Sequence, residues 1–237
     1  MNDSASTPVA LAAYDGPEAL ARALAAHVAD ALRGQIAATG AASLAVSGGR
    51  TPTRFFETLA QAPIDWSRVS VTLVDERWVG EQSPRSNAAL VRRHLLQGPA
   101  ARARFLPLFT GADTPEDGLA EAEAALAGLP APFAAVVLGM GDDGHTASFF
   151  PGADALAAAL DPHTPARLIA IRAEAAGEPR ITLTLPQLLA ARTLLLHIEG
   201  AGKRAVLDAA LLPGPAEALP IRAVLRAHAP LDVLWCP

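Results

Sequence analysis

Apolar residues gather in short unbroken runs, and between the runs they recur at helical spacing. The runs predict strands at Ser43–Val46, Val69–Val74, Ala134–Leu138, Leu168–Ile171, Ile181–Leu185, Leu194–Ile198 and Val233–Trp235. Several are apolar throughout, the pattern of strands covered on both faces. Helical spacing marks Pro17–Leu32, Pro52–Leu59, Asn87–Leu96, Pro115–Leu126, Lys203–Leu211 and Ile221–Arg226. Strand and helix alternate, which predicts an α/β fold: a Rossmann-like, mainly parallel sheet with helices on both faces. Pro and Gly clusters such as Gly128-Leu129-Pro130-Ala131-Pro132 and Pro213-Gly214-Pro215 fall between elements. With no long linker, charge block or repeat, residues 1–237 read as a single domain with a small excursion between Pro151 and Pro179.

Composition narrows the class. Hydrophobic residues are 51% and charged residues 18%, enough to bury a core and to exclude wholesale disorder. No uninterrupted apolar run reaches the ~18–20 residues that span a bilayer. A net charge of −5 argues against nucleic acid as a partner held by a basic surface. The N-terminal Met-Asn-Asp-Ser-Ala-Ser-Thr-Pro has no positive leader and no apolar core, so a cytoplasmic protein is expected. One cysteine, Cys236, forms neither a disulfide nor a zinc cluster within the chain, and no His, Cys or carboxylate grouping has metal-ligand spacing. Of 19 Lys+Arg, only Lys203 is lysine, which reflects either codon bias or a position that wants a compact ammonium.

Open parallel sheets bind ligands beyond the carboxyl ends of their strands, and four such ends here are chemically unusual. Ser47-Gly48-Gly49-Arg50-Thr51-Pro52 allows close backbone approach, with Thr51 suited to an N-cap and Pro52 to the first helical turn; it reads as an anion site or an ordinary strand-to-helix turn. Asp75-Glu76-Arg77-Trp78 places acids and a cation at a sheet rim. Asp75 suits a substrate hydroxyl or a base, and Arg77 a phosphate or an oxyanion; a structural ion pair is the plain alternative. Gly139-Met140-Gly141-Asp142-Asp143-Gly144-His145-Thr146 formally contains G-x-G-x-x-G, but Pro151 and Gly152 soon interrupt any helix and no suitable acid follows, so a nicotinamide cofactor is not expected. The loop instead offers His145 as a general base with Asp143 to orient it. Gly200-Ala201-Gly202-Lys203 sets the sole lysine at a helix start, with Arg180 as a weaker companion. His27, His94, His163, His197 and His228 read as structural or surface residues.

Taken together and in order, Ser47–Pro52, Val74-Asp75-Glu76-Arg77-Trp78-Val79, Ser86-Asn87, Gly139–Ser148, Ile181–Pro186 and Gly202-Lys203 resemble the 6-phosphogluconolactonase family, across nearly the whole chain from about Leu44 to Trp235. That family is similar in fold to glucosamine-6-phosphate isomerase/deaminase. After Gly-His the deaminase pattern typically runs Ile-Ala-Phe-Asn-Glu-Pro-Gly, whereas this chain runs Thr146-Ala147-Ser148-Phe149-Phe150-Pro151-Gly152. Phe150 stands where the deaminase has its glutamate, and Arg77-Trp78 replaces its usual tyrosine, so the resemblance leans to the lactonase. It implies hydrolysis of 6-phospho-D-glucono-1,5-lactone in the oxidative pentose phosphate pathway by a monomer or weak homo-oligomer. Ser47, Gly48, Gly49, Lys203 and Arg180 would hold the phosphate and Asp75 the sugar hydroxyls. His145 would act as base, with Asp143 orienting it and Arg77 on the phosphate or the oxyanion. The reaction calls for no metal, cofactor or acyl-enzyme. A deaminase, or a sugar-phosphate-sensing domain without catalysis, is the alternative.

Overall fold

The computed structural model describes residues 9–227 and 229–237. The N-terminal octapeptide read above for a targeting signal, and His228, lie outside the described residues. In chain order the elements are β1 Ala10–Ala13, α1 Pro17–Thr39, β2 Ala42–Val46, α2 Thr53–Ala60, β3 Val69–Leu73, β4 Asp75–Arg77, α3 Asn87–His94, β5 Arg104–Phe105 and α4 Pro115–Ala127. They continue as β6 Ala135–Leu138, α5 Leu156–Leu160, β7 Leu168–Ile171, β8 Arg180–Leu183, α6 Leu185–Leu189, β9 Thr193–Glu199, α7 Ala201–Leu211, α8 Ile221–Leu225 and β10 Leu231–Cys236.

Seven strands form a parallel sheet in the order β1-β10-β9-β6-β2-β3-β5. The residues of β2, β3 and β6 are buried throughout, as their unbroken apolar runs require. Helices flank the sheet: α1 lies across β2, β6, β9 and β10 and against α2, while α7 packs on β9 and α8. Leu20, Leu24, Leu32, Phe55, Phe56 and Trp66 are wholly buried in this packing. α1 runs seven residues past the predicted Leu32, because its next inward residue is polar. Gln35 is buried, donates to Pro132 O at 2.7 Å and accepts from Ser43 N at 3.1 Å, and the helix stops only at Gly40 in the left-handed region.

Strand order reverses beside β2: β3 and β5 follow on one side, β6, β9 and β10 on the other. Val46 pairs with Val137 at this switch point, so the loops leaving β2 and β6 part from neighbouring strand ends and open a crevice between them.

A second sheet stands beside the first; the predicted excursion between Pro151 and Pro179 supplies only its strand β7, while β4 and β8 lie outside that span. β4, β8 and β7 pair antiparallel, with Asp75 opposite Thr182 and Arg77 opposite Arg180. Two predicted strands, Leu168–Ile171 and Ile181–Leu185, therefore belong to this sheet and not to the parallel one. The second ends early because Pro186 suits a helical first turn, so Leu185 already begins α6. Val74 joins the two sheets: its N–H reaches Val46 O at 3.0 Å and its carbonyl accepts from Leu183 N at 2.8 Å.

Candidate active site

A cleft of about 330 Å³ opens over the switch point. Eight of the nine residues singled out above for chemistry line it: Ser47, Gly48, Gly49, Asp75, Arg77, His145, Arg180 and Lys203. The ninth, Asp143, stands behind His145, holding its Nδ1 at 2.6 Å and its backbone N–H at 3.1 Å through one carboxylate oxygen. A carboxylate only accepts, so Nδ1 carries the proton and Nε2 is left as an acceptor. Burial pushes the Asp143 carboxyl up, but the two hydrogen bonds from His145 and the electrostatic pull of that side chain outweigh it and hold the group down at about 2. Gly141 makes this pairing possible: a Cβ there would lie 2.1 Å from His145 Nδ1 and 2.5 Å from Asp143 Oδ1.

The second sheet supplies the cationic wall. Arg77 and Arg180 face each other across β4 and β8. Arg77 donates through Nη1 to Arg85 O, Arg180 through Nη2 to Ala176 O at 3.3 Å, and the buried Nε of each has no hydrogen-bond partner. Burial lowers the Arg180 pKa and Arg77 adds to that, while Asp75 opposes it from 3.5 Å. Asp75 is itself buried, and its Oδ2 accepts from Ser148 Oγ at 2.6 Å. Two guanidiniums with unused donors against one carboxylate leave a surplus of positive charge, which suits an anionic or developing oxyanionic oxygen.

On the parallel-sheet side, Ser47 Oγ donates to Val137 O and accepts from Gly139 N–H, both at 3.0 Å, which ties the β2 and β6 loops together. The expected Thr51 cap is not formed: α2 begins at Thr53, Pro52 takes the cap position and no side chain caps the helix. Lys203 sits in the first turn of α7, as its spacing from the glycines predicts, with its ammonium 2.8 Å from Asp142 Oδ1.

Several cleft residues escaped the sequence reading of roles. Asn87 follows the α3 cap Ser86, donates to Asp75 O at 3.0 Å and keeps a buried, unpartnered Oδ1. That oxygen occupies the space a Cβ at Gly48 would need, 1.8 Å away. Its only sequence signal was the Ser-Asn pair in the family pattern. Glu76, between two site residues, is structural: it accepts backbone N–H from Arg77, Asn87 and Ala88 at 2.7–2.8 Å, and burial raises its carboxyl to about 7 against the pull of these amides. His197, read as structural, is buried in β9 with Nε2 2.9 Å from Glu199, and both line the cleft. His94 pairs with Glu57 at the surface, and His27 and His163 are exposed.

Comparison with known proteins places the chain among sugar-phosphate enzymes. A family model described as glucosamine-6-phosphate isomerases/6-phosphogluconolactonase matches residues 15–235. A 6-phosphogluconolactonase of Rhizobium meliloti is 53% identical over 225 residues, 94% of this chain and 97% of that protein. One from Mesorhizobium japonicum is 54% identical, covering 94% and 93%. The crystal structure of a 6-phosphogluconolactonase from Shewanella baltica superposes with a TM-score of 0.94 at 42% identity, covering 98% of this chain and 99% of that one.

Proposed function

The chain belongs to the glucosamine-6-phosphate isomerase/6-phosphogluconolactonase family, and from that premise we propose that it hydrolyses 6-phospho-D-glucono-1,5-lactone to 6-phospho-D-gluconate, the lactonase step of the oxidative pentose phosphate pathway. The observation that carries this reading is the His145–Asp143 pair, 2.6 Å apart, at a cleft whose other walls bear Lys203, Arg77 and Arg180.

In this mechanism the phosphate rests on the backbone of Gly48 and Gly49, beside Ser47, with Lys203 and Arg180 as cations. Asp75 takes sugar hydroxyls. His145 accepts a proton at Nε2 from a water whose oxygen attacks the lactone carbonyl. Arg77, on the cleft wall, meets the tetrahedral oxyanion with its guanidinium charge. The intermediate collapses with cleavage of the bond to the ring oxygen, which takes the proton back from the imidazolium. Asp143 fixes the tautomer that lets Nε2 accept first and donate afterwards. No residue forms a covalent intermediate. The same reading takes the chain as one domain, working in the cytoplasm as a monomer or weak homo-oligomer. Among the described residues no helix is long and apolar enough to cross a membrane.

A coupled assay of lactone hydrolysis, corrected for spontaneous ring opening, tests the proposal. Turnover of the phosphorylated lactone that His145→Ala abolishes is the expected result. Binding without turnover would favour a sugar-phosphate sensor.

A further inference from the structure

The chain's only lysine meets the cleft already paired. Its ammonium, with the side chain 24% exposed, lies 2.8 Å from Asp142 Oδ1, on the loop that carries His145. The Asp142 side chain is 88% exposed and makes no other polar contact among the described residues. Its neighbour Asp143 is fixed by two hydrogen bonds to His145. Of two adjacent acids, one is anchored to the proposed base and the other is held by Lys203 alone.

We propose that Asp142 is a specificity-determining residue: it is the internal counter-anion of Lys203, which the phosphate of an incoming substrate must displace. The inference rests on the reading of Lys203 as a phosphate cation. A half-buried ammonium without a partner attracts any small anion, and Asp142 fills that place when the cleft is empty. A monoanion gains little from the exchange, because it offers Lys203 the same single charge that Asp142 already supplies at high effective concentration. A phosphate dianion brings a second charge and further acceptor oxygens, which Arg180 and the Gly48–Gly49 backbone line the same cleft to meet. Asp142 therefore weakens every anion at Lys203, and monoanions more than dianions. Exposed, with one contact, it costs the fold little to release.

The test measures KM for the phosphorylated lactone and the inhibition constant of inorganic phosphate in four proteins: wild type, Asp142→Asn, Lys203→Met and the double variant. Asp142→Asn should lower both constants by about two- to tenfold, the range set by an exposed ion pair and by the repulsion an acid exerts on a nearby dianion. Asp142→Ser should do the same. The double variant should match Lys203→Met, because a latch has no effect once its partner is gone. Unchanged or raised constants in Asp142→Asn overturn the proposal. So does an equal fall in the Lys203→Met background, which marks a general field effect. A Lys203→Met protein with unaltered KM removes the premise instead, since it takes Lys203 out of the phosphate site whatever Asp142 does.

Discussion

The imidazole of His145 lies against the ring of Phe150, with centroids 4.1 Å apart and planes inclined by 29°. The guanidinium carbon of Arg180 stands 4.9 Å from the centre of the same ring. Phe150 is buried, so one rigid aromatic surface sets both the plane of the proposed base and the position of a cation of the anion site. Between Asp143 on Nδ1 and Phe150 on its face, His145 keeps little freedom except to exchange a proton at Nε2.

Replacing the base removes the chemistry and leaves the fold. His145→Ala should lose about 10²–10⁴-fold in kcat with an unchanged circular dichroism spectrum and thermal midpoint. A kcat near that of wild type, with the same pH profile, would take His145 out of the mechanism.

Phe150→Leu keeps an apolar filler but removes the aromatic face. It should reduce kcat by about two- to tenfold, the worth of a stacked pair, and Phe150→Tyr should restore most of the loss. If Leu and Tyr variants behave alike, the ring is packing and nothing more.

Phe150 also stands where the deaminase pattern carries an acid. No ammonia should appear when the protein is incubated with glucosamine 6-phosphate under conditions that give full lactone turnover. Ammonia release at a comparable rate would move the chain to the other branch of its family.

Asp143 gives a pH signature. Its carboxyl lies at about 2 in the folded protein against 3.8 ordinarily, so the stability it contributes is complete above about pH 4 and is lost as pH falls through 2. The difference in urea midpoint between wild type and Asp143→Asn should shrink as pH falls from 4 towards 2. The group is partly exposed, so the difference is small. A gap that instead widens between pH 4 and pH 2 would contradict the pairing with His145.

Lys203→Met keeps the stem and removes the charge. KM for the phosphorylated lactone should rise by about tenfold to a hundredfold, the value of a charge-assisted hydrogen bond, while kcat falls less. Turnover of unphosphorylated gluconolactone should hardly change, since that substrate has nothing to offer the ammonium. Parallel losses on both substrates would assign Lys203 to the fold.

Much of this architecture was legible because burial on both faces writes an unbroken apolar run, as in Ala135–Leu138, and because the glycines and charges that follow such runs stand out. What was not legible lacks a local signal. β1 is Ala-Leu-Ala-Ala, exposed along its length and held only by pairing with β10. β4 is Asp-Glu-Arg, which reads as the polar end of a strand; its partner β8 lies about a hundred residues away, so no local pattern hints that Arg77 faces Arg180. Asn87 looked like a helix start, and only folding sets its amide against Gly48. Asp142 is in sequence only part of a loop motif, and its contact with Lys203 joins two strand ends that no spacing rule connects.

The hydroxyl of Ser47 has its proton committed to the carbonyl of Val137, a group that cannot act as a base, while it accepts from Gly139. Fluorophosphonates and sulfonyl fluorides label a serine only when a neighbour draws that proton away. This protein should therefore be invisible to the reagents by which hydrolases are inventoried in cell extracts. Its ester-cleaving activity would persist after every activated serine in the mixture had been blocked.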